Sequence, residues 1–124
     1  MTIQSINHVQ LPFPAGAEGP VRRFYASLLG LPEVRLKADN TLRFAAGTQR
    51  IDLVPIEPWQ PHPSVSHLAL EVQDLPALRQ RLLQAELPLV ENRALPGYLR
   101  FYVKDPAGNQ LEFLEPDHEQ GVTP

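Results

Sequence analysis

Apolar positions along this chain change period twice, in the same order each time. Ile6–Leu11 mixes apolar and polar residues at the two-residue period of a strand. Val21, Phe24, Tyr25, Leu28 and Leu29 then follow at i, i+3, i+4, i+7 and i+8, which is one face of a helix. Pro20 suits the first turn of that helix and Gly30 its C-terminal cap, and the Pro/Gly-rich Pro12–Gly19 before it reads as a loop. Strand-like stretches follow at Glu33–Lys37, Thr41–Ala45 and Gln49–Val54. The second half runs the same course: a strand at Val65–Val72, Asp74 as helix N-cap, then Leu75, Leu78, Leu82 and Ala85 on one helical face. Strands near Leu89–Asn92, Leu99–Lys104 and Gln110–Leu114 complete it, with Asp105-Pro106-Ala107-Gly108-Asn109 as turn chemistry between the last two. The pattern predicts an α+β fold of two β-α-β-β-β modules in a single domain over 1–124. Module one covers 3–58 and module two 64–116, with a linker at 59–63 and a loose tail at 117–124.

Chemistry-bearing residues repeat with the modules. His8 in Ile6-Asn7-His8-Val9-Gln10-Leu11 returns 59 positions later as His67 in Val65-Ser66-His67-Leu68-Ala69-Leu70. Asp52 in Ile51-Asp52-Leu53 returns 60 positions later as Glu112 in Leu111-Glu112-Phe113. Alternation along a strand then assigns faces. Val9, Leu11, Leu68, Leu70, Ile51, Leu53, Leu111, Phe113, Phe101 and Val103 belong on the helix-packed side. His8, Asp52, His67 and Glu112 are thereby expected on the opposite sheet face, together with Arg50, Arg100 and Tyr102. Two imidazoles and two carboxylates suit one divalent transition metal (Fe, Mn, Ni, Zn or Co) and are too rich in nitrogen for calcium or magnesium.

Composition narrows the class. The chain has 124 residues, net charge −3, 14 prolines and no cysteine. Disulfides, thiolate metal sites and a cysteine nucleophile are therefore excluded. No apolar run approaches the ~20 residues of a membrane span. The first residues lack the basic and apolar segments of a secretion signal, so the expected compartment is the cytoplasm. Lys and Arg are dispersed, with no basic stripe for nucleic acid and no amphipathic membrane helix.

The paired modules, the His-Val and His-Leu strands, Phe24-Tyr25-Ala26-Ser27-Leu28-Leu29-Gly30-Leu31 and Asp105-Pro106-Ala107-Gly108-Asn109-Gln110-Leu111-Glu112-Phe113 resemble the vicinal oxygen chelate superfamily. That group holds glyoxalase I, extradiol dioxygenases, methylmalonyl-CoA epimerase, and fosfomycin- and bleomycin-resistance proteins. The likeness covers residues 3 to 116. It implies a curved sheet cupping a divalent metal, often completed by a second subunit, hence a homodimer. His8, Asp52, His67 and Glu112 are the ligands it implies, with Glu112, Asp52 and Tyr102 as catalytic candidates. Glyoxalase-like members carry Glu where Asp52 stands, one methylene longer. Extradiol dioxygenases use two His and one Glu, matching His8, His67 and Glu112, and a Tyr at the place of Tyr102. Their acid–base His falls at Asp52, so that chemistry loses its proton carrier here.

The implied function is a metal-dependent isomerase or lyase acting on a small, oxygenated, anionic molecule, with Arg50 and Arg100 to hold it. The alternatives are an extradiol-type dioxygenase and a metal-free drug- or metabolite-binding protein. His62 and His118, in the linker and tail, are expected to be bystanders, Trp59 an anchor in the linker or a dimer, and Glu71 and Glu115 exposed strand residues.

Overall fold

The computed structural model describes residues 1–36, 38–61, 66–91 and 94–118. The ends of the expected strands at Lys37, Val65 and Asn92, the linker residues His62 and Pro63, and the tail beyond His118 lie outside the described residues. The chain is α+β and divides into two compact units, Met1–His62 and Pro63–Pro124. Among the described residues no helix is long and apolar enough to cross a membrane.

The first unit runs β1 (His8–Pro14), α1 (Glu18–Arg22), a π-helical segment (Arg23–Leu28), β2 (Glu33–Val34), β3 (Leu42–Ala46) and β4 (Gln49–Ile56). Its sheet has the order β1-β4-β3-β2, parallel between β1 and β4 and antiparallel elsewhere. The helix starts at Glu18, ahead of Pro20, and is not one regular α-helix. Leu29 N–H donates to Phe24 C=O at 3.0 Å, the wider i→i+5 step of a π-helix. Two consecutive aromatics face inward here: Phe24 is 2% exposed and Tyr25 0%. Tyr25 stacks on Phe44 at 5.3 Å between ring centres, and Phe24 meets Tyr25 edge-on. The expected loop at Pro12–Gly19 begins late, because β1 continues to Pro14 and buries Phe13 completely. β1 is the end strand of this sheet, where proline is tolerated.

The second unit runs β5 (His67–Glu71), α2 (Leu75–Gln84), β6 (Tyr98–Lys104) and β7 (Gln110–Pro116), with sheet order β5-β7-β6. β5 and β7 are parallel; β6 and β7 are antiparallel. Among the described residues the strand expected near Leu89–Asn92 shows as one bridge, Val90 with Tyr102, closed by two backbone hydrogen bonds of 2.9 Å. Pro88, lacking an N–H, offers no donor to extend that ladder. Among the described residues, Leu75, Leu82, Phe101, Tyr102, Val103, Leu111 and Phe113 are this unit's buried hydrophobic side chains.

One expectation is corrected at the end of β7. Glu115 is not an idle exposed residue. Its Oε2 accepts from Asp74 N–H at 2.7 Å and its Oε1 from Leu75 N–H at 3.1 Å. Asp74 itself accepts from Ala77 N–H at 3.3 Å, the N-cap bond expected of it. Two carboxylates thus serve the first amides of α2, where the helix presents unpaired donors and positive potential. Glu115→Ala is expected to lower stability by about 1–2 kcal/mol, read as a lower urea midpoint with unchanged slope.

Candidate functional site

Each unit presents one histidine and one carboxylate on the sheet face opposite Ile51, Leu53, Leu111 and Phe113. Strand alternation puts them there, and parallel pairing sets their spacing. His8 stands level with Arg50 and Gln10 with Asp52; His67 stands level with Gln110 and Ala69 with Glu112. The two carboxylates are far from open: Asp52 is 4% exposed and Glu112 5%.

In the first unit the Asp52 carboxylate is forked by a guanidinium. Arg50 Nε donates to Oδ1 at 2.6 Å and Nη2 to Oδ2 at 3.1 Å. Arg43, level with Asp52 on β3, brings Nε to 4.0 Å of Oδ2 and is itself forked by Asp39 at 2.9 and 3.0 Å. His8 Nε2 stands 3.9 Å from Oδ2, and His8 Nδ1 shares a 2.8 Å hydrogen bond with Asn7 Oδ1. The hydrogen bonds they donate to the carboxylates hold both guanidiniums above their ordinary pKa: Asp52 acts on Arg50, and Asp39 on Arg43. Arg43 and Asp39 are members of this cluster that the sequence reasoning missed. The alternation of Leu42 and Phe44 with Arg43 on a predicted strand was the available signal for Arg43.

In the second unit His67 Nε2 lies 2.9 Å from Glu112 Oε1, and Arg100 Nη1 donates to Glu112 Oε2 at 3.2 Å. Tyr102, directly across the ladder from Glu112, meets the His67 ring edge-on at 5.5 Å, with the Arg100 guanidinium over its own ring at 5.4 Å. His67, Glu112, Arg100 and Tyr102 are therefore a cluster of the second unit, and His8, Asp52, Arg50, Arg43 and Asp39 one of the first. His118 is exposed at the end of the described chain.

The second cluster offers one imidazole nitrogen and one carboxylate, donor types that divalent transition metals take. His67 Nε2 and Glu112 Oε1 stand 2.9 Å apart, an ordinary hydrogen-bond distance. Among the described residues no group of three or more His, Asp or Glu side chains is gathered for a metal. The first unit also holds a cavity of about 490 Å³, whose lining includes Glu18, Arg22, Glu33, Asp39 and Arg43. Arg22 and Glu33 pair across it at 3.0 Å. Of the seven residues singled out from the sequence, none is among its lining.

Comparison with known proteins agrees with this architecture. The sequence matches the model of the Glyoxalase/Bleomycin resistance protein/Dioxygenase superfamily over residues 5–113. A structure described as a glyoxalase family protein from Bacillus anthracis is 30% identical, with TM-score 0.87, covering 94% of this chain and 98% of its own. Lactoylglutathione lyase from Agrobacterium tumefaciens has TM-score 0.73 at 22% identity, over 98% and 100% of the two chains. TnmS3, an antibiotic binding protein from Streptomyces sp. CB03234, has TM-score 0.77 at 20% identity, over 94% and 99%. These last two show the same fold. Among functionally curated proteins none matches significantly.

Proposed function

We propose a function on the premise that this chain belongs to the Glyoxalase/Bleomycin resistance protein/Dioxygenase superfamily: it is a divalent-metal-dependent enzyme of isomerase or lyase type, acting on a small, oxygenated, anionic molecule. The observation that carries this reading is the His67–Glu112 pair, an imidazole nitrogen and a carboxylate oxygen 2.9 Å apart, with Glu112 only 5% exposed. His67 and Glu112 are the proposed ligands of the second unit, and His8 that of the first. His67 and Glu112 would hold a divalent ion, and such an ion would supply Lewis acidity to substrate oxygens.

The remaining work falls to the chain's own side chains. Arg100 ties down Glu112 Oε2 at 3.2 Å, so the carboxylate keeps one orientation. Glu112 is the proposed proton carrier, taking a proton from the carbon beside a substrate carbonyl and returning it to the neighbouring carbon. Tyr102, packed edge-on against His67, fixes the imidazole plane and lends its hydroxyl to the substrate. Arg50 and Arg100 are the proposed partners of the substrate's negative charge. A homodimer is the proposed assembly.

One observation favours a second reading, a metal-free binding protein. Each carboxylate already has a guanidinium partner, so both faces are charge-compensated without an ion. Elemental mass spectrometry separates the two on protein purified without chelator or affinity tag. One transition metal per chain, lost in His67→Ala, supports the enzyme. An empty protein after reconstitution with Fe, Mn, Ni, Zn and Co in turn would favour the binding protein. Ligands would then be sought by the rise they cause in melting temperature.

A further inference from the structure

We propose that the cavity of the first unit is a small-molecule site, built for a zwitterion of the α-amino acid type with an apolar side chain. Its volume of about 490 Å³ falls within the roughly 300–1,000 Å³ of small-molecule pockets. α1 lends it Glu18 and Arg22, β2 and the residues after it Glu33 to Leu36, and β3 Leu42 and Arg43. All of these lie in one compact unit. None belongs to the ligands or substrate-holding residues proposed above, so the two sites stand or fall separately.

Among the described residues the lining carries three guanidiniums, of Arg22, Arg35 and Arg43, and three carboxylates, of Glu18, Glu33 and Asp39. The carboxylates disfavour a polyanion such as a nucleotide, and the guanidiniums disfavour a simple cation. A molecule with one charge of each sign meets neither objection.

Most of this charge is paired within the lining, and the exceptions define the ligand. Arg43, 7% exposed, is forked by Asp39. Arg22 forks Glu33, with Nε 3.0 Å from Oε1 and Nη2 3.2 Å from Oε2. Arg35 comes second to the same carboxylate, 3.6 Å from Oε2 and beyond hydrogen-bond range, with its side chain 78% exposed. The local sequence accounts for this. β2 pairs with β3 only through Glu33 and Val34, so Arg35 and Leu36 run on past the ladder. Two guanidiniums thus share one acid, and among the described residues Arg35 makes no hydrogen bond. The converse holds at Glu18. Its Oε1 accepts one bond of 3.3 Å, from Gly16 N–H, and among the described residues its Oε2 accepts none. A ligand carboxylate on Arg35 and a ligand ammonium on Glu18 would complete both groups. Val34, Leu36 and Leu42 add apolar surface to the same lining, and Leu36 is 57% exposed. Covering that leucine favours an aliphatic side chain on the ligand.

NMR of the ¹⁵N-labelled full chain, titrated with L-leucine in the presence of EDTA, tests the site. Leucine is expected to bind with a dissociation constant below about 1 mM and to shift the amides of Val34, Arg35 and Thr41. L-Leucinamide lacks the carboxylate and N-acetyl-L-leucine lacks the ammonium; each is expected to bind at least ~10-fold more weakly. Arg35→Gln and Glu18→Gln are each expected to weaken leucine by the same factor, in variants whose spectra away from the cavity match the parent's. His67→Ala should bind leucine as the parent does. Absence of any leucine-dependent shift up to ~20 mM, or parental affinity in either glutamine variant, overturns the proposal. So does an analogue that binds as well as leucine, or loss of binding in folded His67→Ala, which would place the amino acid on the sheet face instead.

Discussion

Glu112→Gln is expected to weaken Ni(II) binding by at least ~100-fold, close to 3 kcal/mol of binding free energy. The substitution keeps the shape of the side chain and removes its charge. An amide oxygen is a far poorer donor to a divalent ion than a carboxylate, and the amide nitrogen carries hydrogens. Changes one layer out from a metal already cost 10–100-fold, so loss of a direct ligand belongs beyond that range. The side chain is 5% exposed, so water has little access to take the carboxylate's place. Arg100 is also left facing a neutral amide where it had a 3.2 Å charged partner. Two measurements check the outcome. Calorimetry reads the affinity directly. Thermal unfolding with Ni(II) at one hundred times the parent's dissociation constant should stabilise the parent by about 2.7 kcal/mol and leave the variant almost unmoved. A nickel-dependent rise in the variant equal to the parent's would remove Glu112 from the site.

Asp105→Ala is expected to lower stability by on the order of 3 kcal/mol, a drop of roughly 10 °C in melting temperature. Asp105 is 5% exposed and organises the β6–β7 turn. Its Oδ1 accepts from Ala107 N–H at 2.9 Å and Asn109 N–H at 2.8 Å, and its Oδ2 accepts from the Asn109 side-chain amide at 3.0 Å. Alanine leaves all three donors without that acceptor in a site with little water. The same turn sets the register that places Tyr102 across from Glu112. Asp105→Asn separates hydrogen bonding from charge. It keeps one acceptor oxygen and should retain part of the lost stability in a chemical denaturation series. A fall of less than ~1 kcal/mol for alanine would show that the Pro106-Ala107-Gly108 backbone holds the turn alone.

Much of this was legible in the sequence because strand chemistry is periodic. The alternation around Ile51 and Leu111 assigned Asp52 and Glu112 to one face, and Asp105–Asn109 named its own turn. What was missed depends on contacts distant in sequence. Arg43 reads as an ordinary polar strand position, and its place opposite Asp52 exists only through the β3–β4 register. Glu115 serves α2 from 41 positions away, beyond the reach of local capping rules. The strand through Pro12 and Pro14 ran against the usual meaning of proline, and only a place at the edge of the sheet permits it. The π-helical segment hid behind an i, i+3, i+4 pattern that a regular helix would satisfy equally. His67 and Glu112 were matched as a pair by the repeat, but their 2.9 Å contact and the fork of Arg50 on Asp52 required side-chain coordinates.

Glu112 and Glu115 are an odd number of residues apart on β7, and so they address opposite faces of one strand. One faces the imidazole and the other the start of α2. The strand therefore works as a gauge read from both sides. A slip of a single residue would carry every side chain to the wrong face, stripping His67 of its acid and α2 of its cap together. Misregistered forms lose twice, and the chemistry and the fold are proofread by the same seven residues of Gln110–Pro116.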